Sequence, residues 1–237
     1  MPDGASKPRE GASRATLEDV RPNTTEPEFG PFRPVRVGSL TELVSATLAE
    51  SPALVLVDGR SGAGKSTFAA AAARARHAVI VATDDIAWHL HPTDWATEML
   101  EGVVRPWMAG QRVQYTPPGW VRRARPGRIE VPSGVDLVIE GVGAARHELA
   151  SLAKLIVWVC SDPVEAKRRG IERDIRLGRT RAEAEQFWHE WMAAELPFLE
   201  AEQPWRVADL VIDGTAHAGT DVADTVYVTD GPRRPRS

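Results

Sequence analysis

The chain has 237 residues, 43% hydrophobic and 26% charged, with 29 basic against 33 acidic side chains and a formal net charge of −4. That composition excludes a wholly disordered chain, and the mild acidity argues against binding nucleic acid through a broad basic field. No apolar run approaches the roughly 20 residues that span a bilayer, the N-terminal stretch lacks a signal-like apolar centre, and one cysteine, Cys160, permits neither an intramolecular disulfide nor a cysteine-built zinc site, so a cytoplasmic protein is expected.

Residues 1–35 are rich in Pro, Gly, Ser, Thr and charge and read as a disordered extension. Ser39 and Glu42 then form a capping-box pattern, and Leu40, Leu43, Val44, Thr47 and Leu48 recur on one face, which predicts an amphipathic helix. Short, continuously apolar runs follow at 54–58, 78–83, 136–140, 154–160 and 208–212. Such runs suit strands buried on both faces. Helical periodicity fills 65–76, about 94–109, about 144–151, 163–177 and 181–201, so the alternation predicts an α/β domain with a mainly parallel sheet. Segment 112–132 breaks this rhythm with Pro and Gly and reads as a loop or small antiparallel hairpin inserted beside the sheet. The domain is placed at 36–214. Residues 215–237 are expected to be largely disordered, with 225–228 as a candidate late edge strand. Cys160, inside an apolar run, reads as an inert core residue.

The strongest motif is Gly59-Arg60-Ser61-Gly62-Ala63-Gly64-Lys65-Ser66, which fits the Walker A pattern G-x-x-x-x-G-K-[ST] between a buried strand and a helix. Glycines let successive backbone amides wrap phosphate oxygens without a Cβ in the way, and the following helix brings its positive end to the same point. Gly59, Ser61, Gly62, Ala63, Gly64, Lys65, Ser66 and Thr67 are the predicted phosphate-binding residues. Lys65 would reach the β- and γ-phosphates, and the Ser66 hydroxyl would serve Mg²⁺. The competing reading, a glycine-rich turn that merely joins strand to helix, is weakened because Lys65 is one of only four lysines in the chain. A regulatory GTPase lacks its Asn-Lys-x-Asp motif here, since Asn23 is the only asparagine.

Asp84 and Asp85 follow the second of these strands. Either can take a proton from an acceptor hydroxyl, or hold metal through water, and either can simply cap a helix. Glu140 ends the third strand, which brings a further carboxylate to that sheet edge; Ser66, Glu140 and Asp84 are the predicted metal-side residues. Between 164 and 185 lie Arg168, Arg169, Arg173, Arg176, Arg179 and Arg181, with Arg169, Arg173 and Arg176 on one helical side. Arginines reaching in from a lid stabilise a phosphoryl group in flight. His89 and His91, beside Trp88 and Trp95, read either as surface and packing residues or as part of an acceptor cavity.

Taken in order, GRSGAGKST (59–67), TDD (83–85), DLVIEGVGA (136–144) and RRGIERDIRLGR (168–179) resemble the uridine kinase, phosphoribulokinase and pantothenate kinase group of P-loop kinases over about residues 52–214. The resemblance implies the P-loop NTPase fold, with a mainly parallel five-stranded sheet flanked by helices, a small insert and an Arg-rich lid. It further implies transfer of the γ-phosphoryl group of ATP, with Mg²⁺, to a hydroxyl of a small-molecule acceptor. Asp84 or, with a one-residue shift, Asp85 would be the base; Lys65, Arg169 and Arg173 would serve the phosphates. No nucleic acid or membrane is implied, and a homo-oligomer is allowed. Uridine kinases carry a Tyr-Asp pair and a histidine in the insert; here Tyr115 is followed by Thr116, and Trp120, Arg122, Arg123 and Arg125 fill the rest. The acceptor therefore stays open between a nucleoside and another metabolite. The alternative of another class is a non-catalytic ATP-binding regulator.

Overall fold

The computed structural model describes residues 25–39, 42, 44, 48, 52–88, 93–215 and 225–232. Its strands are β1 (Arg33–Arg36), β2 (Leu54–Gly59), β3 (Val79–Ala82), β4 (Val113–Tyr115) and β5 (Ile129–Val131), then β6 (Leu137–Glu140), β7 (Leu155–Cys160), β8 (Leu210–Asp213) and β9 (Thr225–Asp230). The helices are α1 (Lys65–Arg76), α2 (Thr83–Ala87), α3 (Ala96–Met99), α4 (Arg105–Met108), α5 (Pro118–Arg122), α6 (His147–Ala150), α7 (Pro163–Arg176) and α8 (Arg181–Glu202). A π-helical turn, Leu100–Val104, joins α3 to α4, and a 3₁₀ turn, Pro204–Val207, leads into β8.

The main sheet runs β1-β9-β8-β7-β2-β6-β3. Its parallel part is β8-β7-β2-β6-β3, the five strands expected from the apolar runs. Every residue of β2 is buried, as a strand covered on both faces requires. Val55, Val57, Val157 and Val159 pack with Phe68, Ala69, Ala72 and Ala73 of α1 on one face. Leu54, Leu56, Ile156 and Trp158 join Leu199, Trp205, Trp95 and Met99 on the other. Each of the buried Val, Leu, Ile, Phe and Met side chains contributes roughly 1.5–3 kcal/mol of burial. At the amino edge of the sheet, buried Asp136 accepts from the Ala53 amide (2.8 Å) and Arg76 Nε (2.6 Å), which ties β2, β6 and the end of α1 together.

Two departures from the sequence reading lie at the sheet's far edge. Residues 25–35 were expected to be disordered, yet β1 pairs antiparallel with β9, and Thr25 bonds Glu200. Likewise the tail was expected to give at most an edge strand over 225–228; β9 extends to Asp230 and lies between β8 and β1. Polar composition misled here because neither strand forms a core of its own. Each borrows a hydrogen-bonded neighbour, and Val228 and Val35 pack onto the existing cluster. The segment 112–132 is the antiparallel hairpin β4–β5, with α5 set into its loop. Of the helix predicted with Ser39 as its N-cap, most residues lie outside the described ones; Val37, Gly38, Ser39, Glu42 and Val44 are helical, so the helix starts three residues earlier with Ser39 inside it, and Val44 and Leu48 are buried.

Candidate active site

The carboxyl ends of β2, β3 and β6 meet at one edge of the sheet, and the parallel register decides which residues arrive there. Val57 pairs with Glu140, and Ala82 pairs with Glu140 from the other side, so β3 and β6 end level with Val57 while β2 runs two residues further, to Gly59. The loop after β2 is the Walker A segment. Gly62 has φ 78°, and a Cβ there would lie 2.0 Å from the Ala166 carbonyl oxygen, so only glycine lets the loop pack against the start of α7. Gly141, after β6, has φ 135° and faces the buried Thr83 hydroxyl at 1.9 Å from a hypothetical Cβ, which draws the β6 and β3 ends together.

Within the loop, the amides of Ser61, Ala63 and Thr67 have internal acceptors: Glu195 Oε1, the Arg60 carbonyl and the Gly64 carbonyl. The amides of Gly62, Gly64, Lys65 and Ser66 have no acceptor among the described residues. Buried Lys65 donates to the Arg60 carbonyl at 2.8 Å, and the exposed Ser66 hydroxyl donates to Glu140 Oε1 at 3.1 Å. Glu140 has its pKa raised by burial, and the negative charge of Asp84 adds to this; Lys65, the Ser66 hydroxyl and Arg173 pull it back down. Asp84, Glu140, Ser66, Lys65 and Arg173 thus form one electrostatic cluster.

The adjacent aspartates separate cleanly. Neither caps α2, whose N-cap is Ala82 without a side-chain bond. Asp84 is exposed and, among the described residues, makes no hydrogen bond. Asp85 is engaged: Arg125 Nη2 donates to its carboxylate at 2.9 Å, and Trp120 Nε1 donates to its carbonyl at 2.8 Å. Arg125 also lies 3.6 Å above the Trp120 ring and 5.1 Å from that of Trp88. The insert is therefore fastened to the strand end that carries the aspartates. His89 and His91 lie outside the described residues, and Trp95 is fully buried in the core. Tyr115 donates its hydroxyl to Glu98, and both line a cavity of about 360 Å³ with Glu101, Gly102 and Arg112; Asp84 does not line it.

The Arg-rich segment forms α7 and its exit. Asp162 caps α7 by accepting from Val164 and Glu165 amides, and Thr180 with Glu183 makes a full capping box at α8. Gly178, at φ 104°, turns the chain between them. Arg169 donates to Glu165 and, at 2.6 Å, to the Gly214 carbonyl beyond β8, while Arg173 contacts the buried Asp174. Arg168 is spent on Glu165 and Glu172, an exposed network.

Two buried acids escaped the sequence reading. Asp58, fully buried beneath the loop, accepts from the Gly59, Gly143 and Ala145 amides at 2.7, 3.0 and 2.9 Å. Burial pushes its pKa up to about 6, against the lowering effect of those amides and Lys65. Glu195 of α8 accepts from the Ser61 amide at 3.1 Å and from Trp191 Nε1 at 2.6 Å. The signal for Asp58 was a charge closing an otherwise apolar strand; Glu195 left none, since acids are common on a long helix.

No family model matches the chain, and no curated protein matches it. Among solved structures it is similar to one named a "putative fructose transport system kinase" from Silicibacter sp. TM1040, at 22% identity and TM-score 0.45, covering 72% of this chain and 94% of that one. It is also similar to one named a "possible uridine kinase" from Bacillus stearothermophilus, at 16% identity and TM-score 0.45, covering 74% of this chain and 96% of that one. Likeness at that level adds nothing to what the strand order and the loop geometry already show. Among the described residues, no helix is long and apolar enough to cross a membrane.

Proposed function

We propose that this chain is a P-loop phosphotransferase that moves the γ-phosphoryl group of MgATP to a hydroxyl of a small metabolite. The observation that carries this reading is the pairing of unclaimed donors with an unclaimed acid. Four loop amides without an acceptor among the described residues lie beside Lys65, whose present partner is the Arg60 carbonyl, and the charge of the exposed Asp84 acts on Glu140. The amides and the positive end of α1 suit phosphate oxygens. Lys65 would exchange the Arg60 carbonyl for the phosphates. An acceptor hydroxyl would attack the γ-phosphorus as the bond to the β–γ bridging oxygen breaks, that oxygen keeping the electron pair on ADP while the hydroxyl proton passes to Asp84. Arg173, whose positive charge lowers the Glu140 pKa, would meet the charge that spreads over the transferring group.

The donor set at this edge fits a divalent cation: the Ser66 hydroxyl and the Glu140 and Asp84 carboxylates are all hard oxygen ligands, and burial of Glu140 disfavours its carrying an unneutralised charge. Ser66 and Glu140 would hold Mg²⁺, which when bound neutralises phosphate charge.

A non-nucleoside acceptor is favoured by the insert. The polar groups of Tyr115 and Trp120 are bonded within the protein, to Glu98 and to the Asp85 carbonyl, and so do not present themselves to a base. The test is acceptor-dependent release of ADP from MgATP, or GDP from MgGTP, across a panel of nucleosides, sugars and vitamins. Tight triphosphate binding without product from any acceptor would point instead to a non-catalytic regulator. Absence of affinity for either triphosphate would sink the nucleotide reading altogether.

A further inference from the structure

The geometry points to Glu26 as a positioning residue that couples the N-terminal strap, Thr25–Phe32, to the phosphate loop; this rests on the phosphotransferase reading above. The loop's first variable residue, Arg60, is almost fully buried, and its Nε donates to Glu26 Oε2 at 2.5 Å. The other oxygen of Glu26 accepts from Trp158 Nε1 at 2.7 Å, on the strand next to β2. The two charged side chains are only 8% and 12% exposed, so the pair is desolvated, and breaking it leaves an uncompensated charge against the loop.

Arg60 also organises the loop through its backbone. Its carbonyl accepts from the Ala63 amide at 3.1 Å and from Lys65 Nζ at 2.8 Å, so whatever holds the Arg60 side chain constrains the turn that aims Lys65. The strap is anchored beyond Glu26 as well. Thr25 bonds Glu200 and Gln203 at the end of α8, and Phe29 and Phe32 pack on the core and, with Arg60, Asp213 and Thr215, line a cavity of about 560 Å³ beneath the strap. The α8 end is tied to the loop a second time through Glu195 and the Ser61 amide. Strap, loop and α8 thus form a closed circuit of contacts around Arg60.

Coupling of this kind is reciprocal: if the docked strap favours triphosphate binding, triphosphate binding must favour the docked strap. The experiment compares the full chain with Glu26→Gln, Arg60→Gln and the double variant, using MgATP and MgGTP in calorimetry and amide hydrogen exchange over residues 25–36. Wild type should show exchange in the strap slowed by nucleotide. Glu26→Gln should bind about 5- to 10-fold more weakly and lose that slowing, and the double variant should be no weaker than the worse single one. Should Glu26→Gln bind as wild type does, with the same nucleotide-dependent slowing, the strap would be a structural edge and nothing more. A wild-type chain that binds neither nucleotide overturns the phosphotransferase reading first, and the coupling with it. If Glu26→Gln is poorly folded, Glu26→Asp decides: it keeps the charge but shortens the reach, and an unchanged nucleotide affinity and strap exchange would overturn the proposal.

Discussion

The two sides of the candidate site are built in different ways. On the phosphate side, between β2, β7 and α7, side chains are buried and bonded mainly to backbone: Asp58 to three amides, Lys65 to a carbonyl, Glu195 to the Ser61 amide. On the acceptor side, at the end of β3 and under the insert, contacts run between side chains and stay partly wet, as in the Arg125–Asp85 pair with 34% and 39% exposure. Backbone-anchored groups cannot move without remaking the loop, whereas the Arg125 side chain, held by one carboxylate and two aromatic faces, has no hydrogen bond to backbone among the described residues. Under the proposed function, the rigid half would suit the part of a substrate that never varies, a polyphosphate. The adjustable half would suit the part that does.

The contrast predicts where substitutions hurt most. Lys65→Ala should lower turnover by about 1,000-fold or more with the fold intact by circular dichroism, because it removes the loop's buried lysine, the cation proposed to meet the phosphates. On the other side, Asp84→Asn should cost on the order of 100- to 10,000-fold in kcat and Asp85→Asn less than about 10-fold; equal losses would erase the distinction drawn from the Arg125 pair. Asp58 gives a pH test. Its folded pKa, about 6, lies above the ordinary 3.8, so the stability it contributes is complete below that lower value and is lost as pH rises through 6. From pH 4 to 7 the melting temperature of wild type should therefore fall relative to Asp58→Asn, by the equivalent of about 2 kcal/mol. A modest effect is expected from Arg125→Ala: less than about a 10-fold rise in acceptor KM, with nucleotide KM unmoved. A nucleotide effect of the same size would mean that the two sides are not separable.

The same division explains what could be read from the residues alone. Val55, Val57, Val157 and Ile212 are apolar without a break because β2, β7 and β8 are covered on both faces, so the parallel strands were legible. The Walker A loop was legible because its chemistry depends on consecutive residues. Asp84 could not be told from Asp85, since the deciding partner, Arg125, stands 40 positions away and only the folded insert brings it to hydrogen-bond range. Glu26 is the extreme case: it sits in a Pro- and Glu-rich stretch, and its meaning depends on Arg60 and Trp158, 34 and 132 positions distant.

The pairing of β1 with β9 also orders events as the chain is made. Synthesis runs from the N-terminus, so the strap leaves the ribosome long before residues 225–230 exist to receive the strand that follows it. The five parallel strands and the phosphate loop can assemble in the meantime, and β1 then docks on an edge completed only by β9. A chain ended just past Asp213 would lack the strand that β1 pairs with, while Glu26 would keep its partners Arg60 and Trp158.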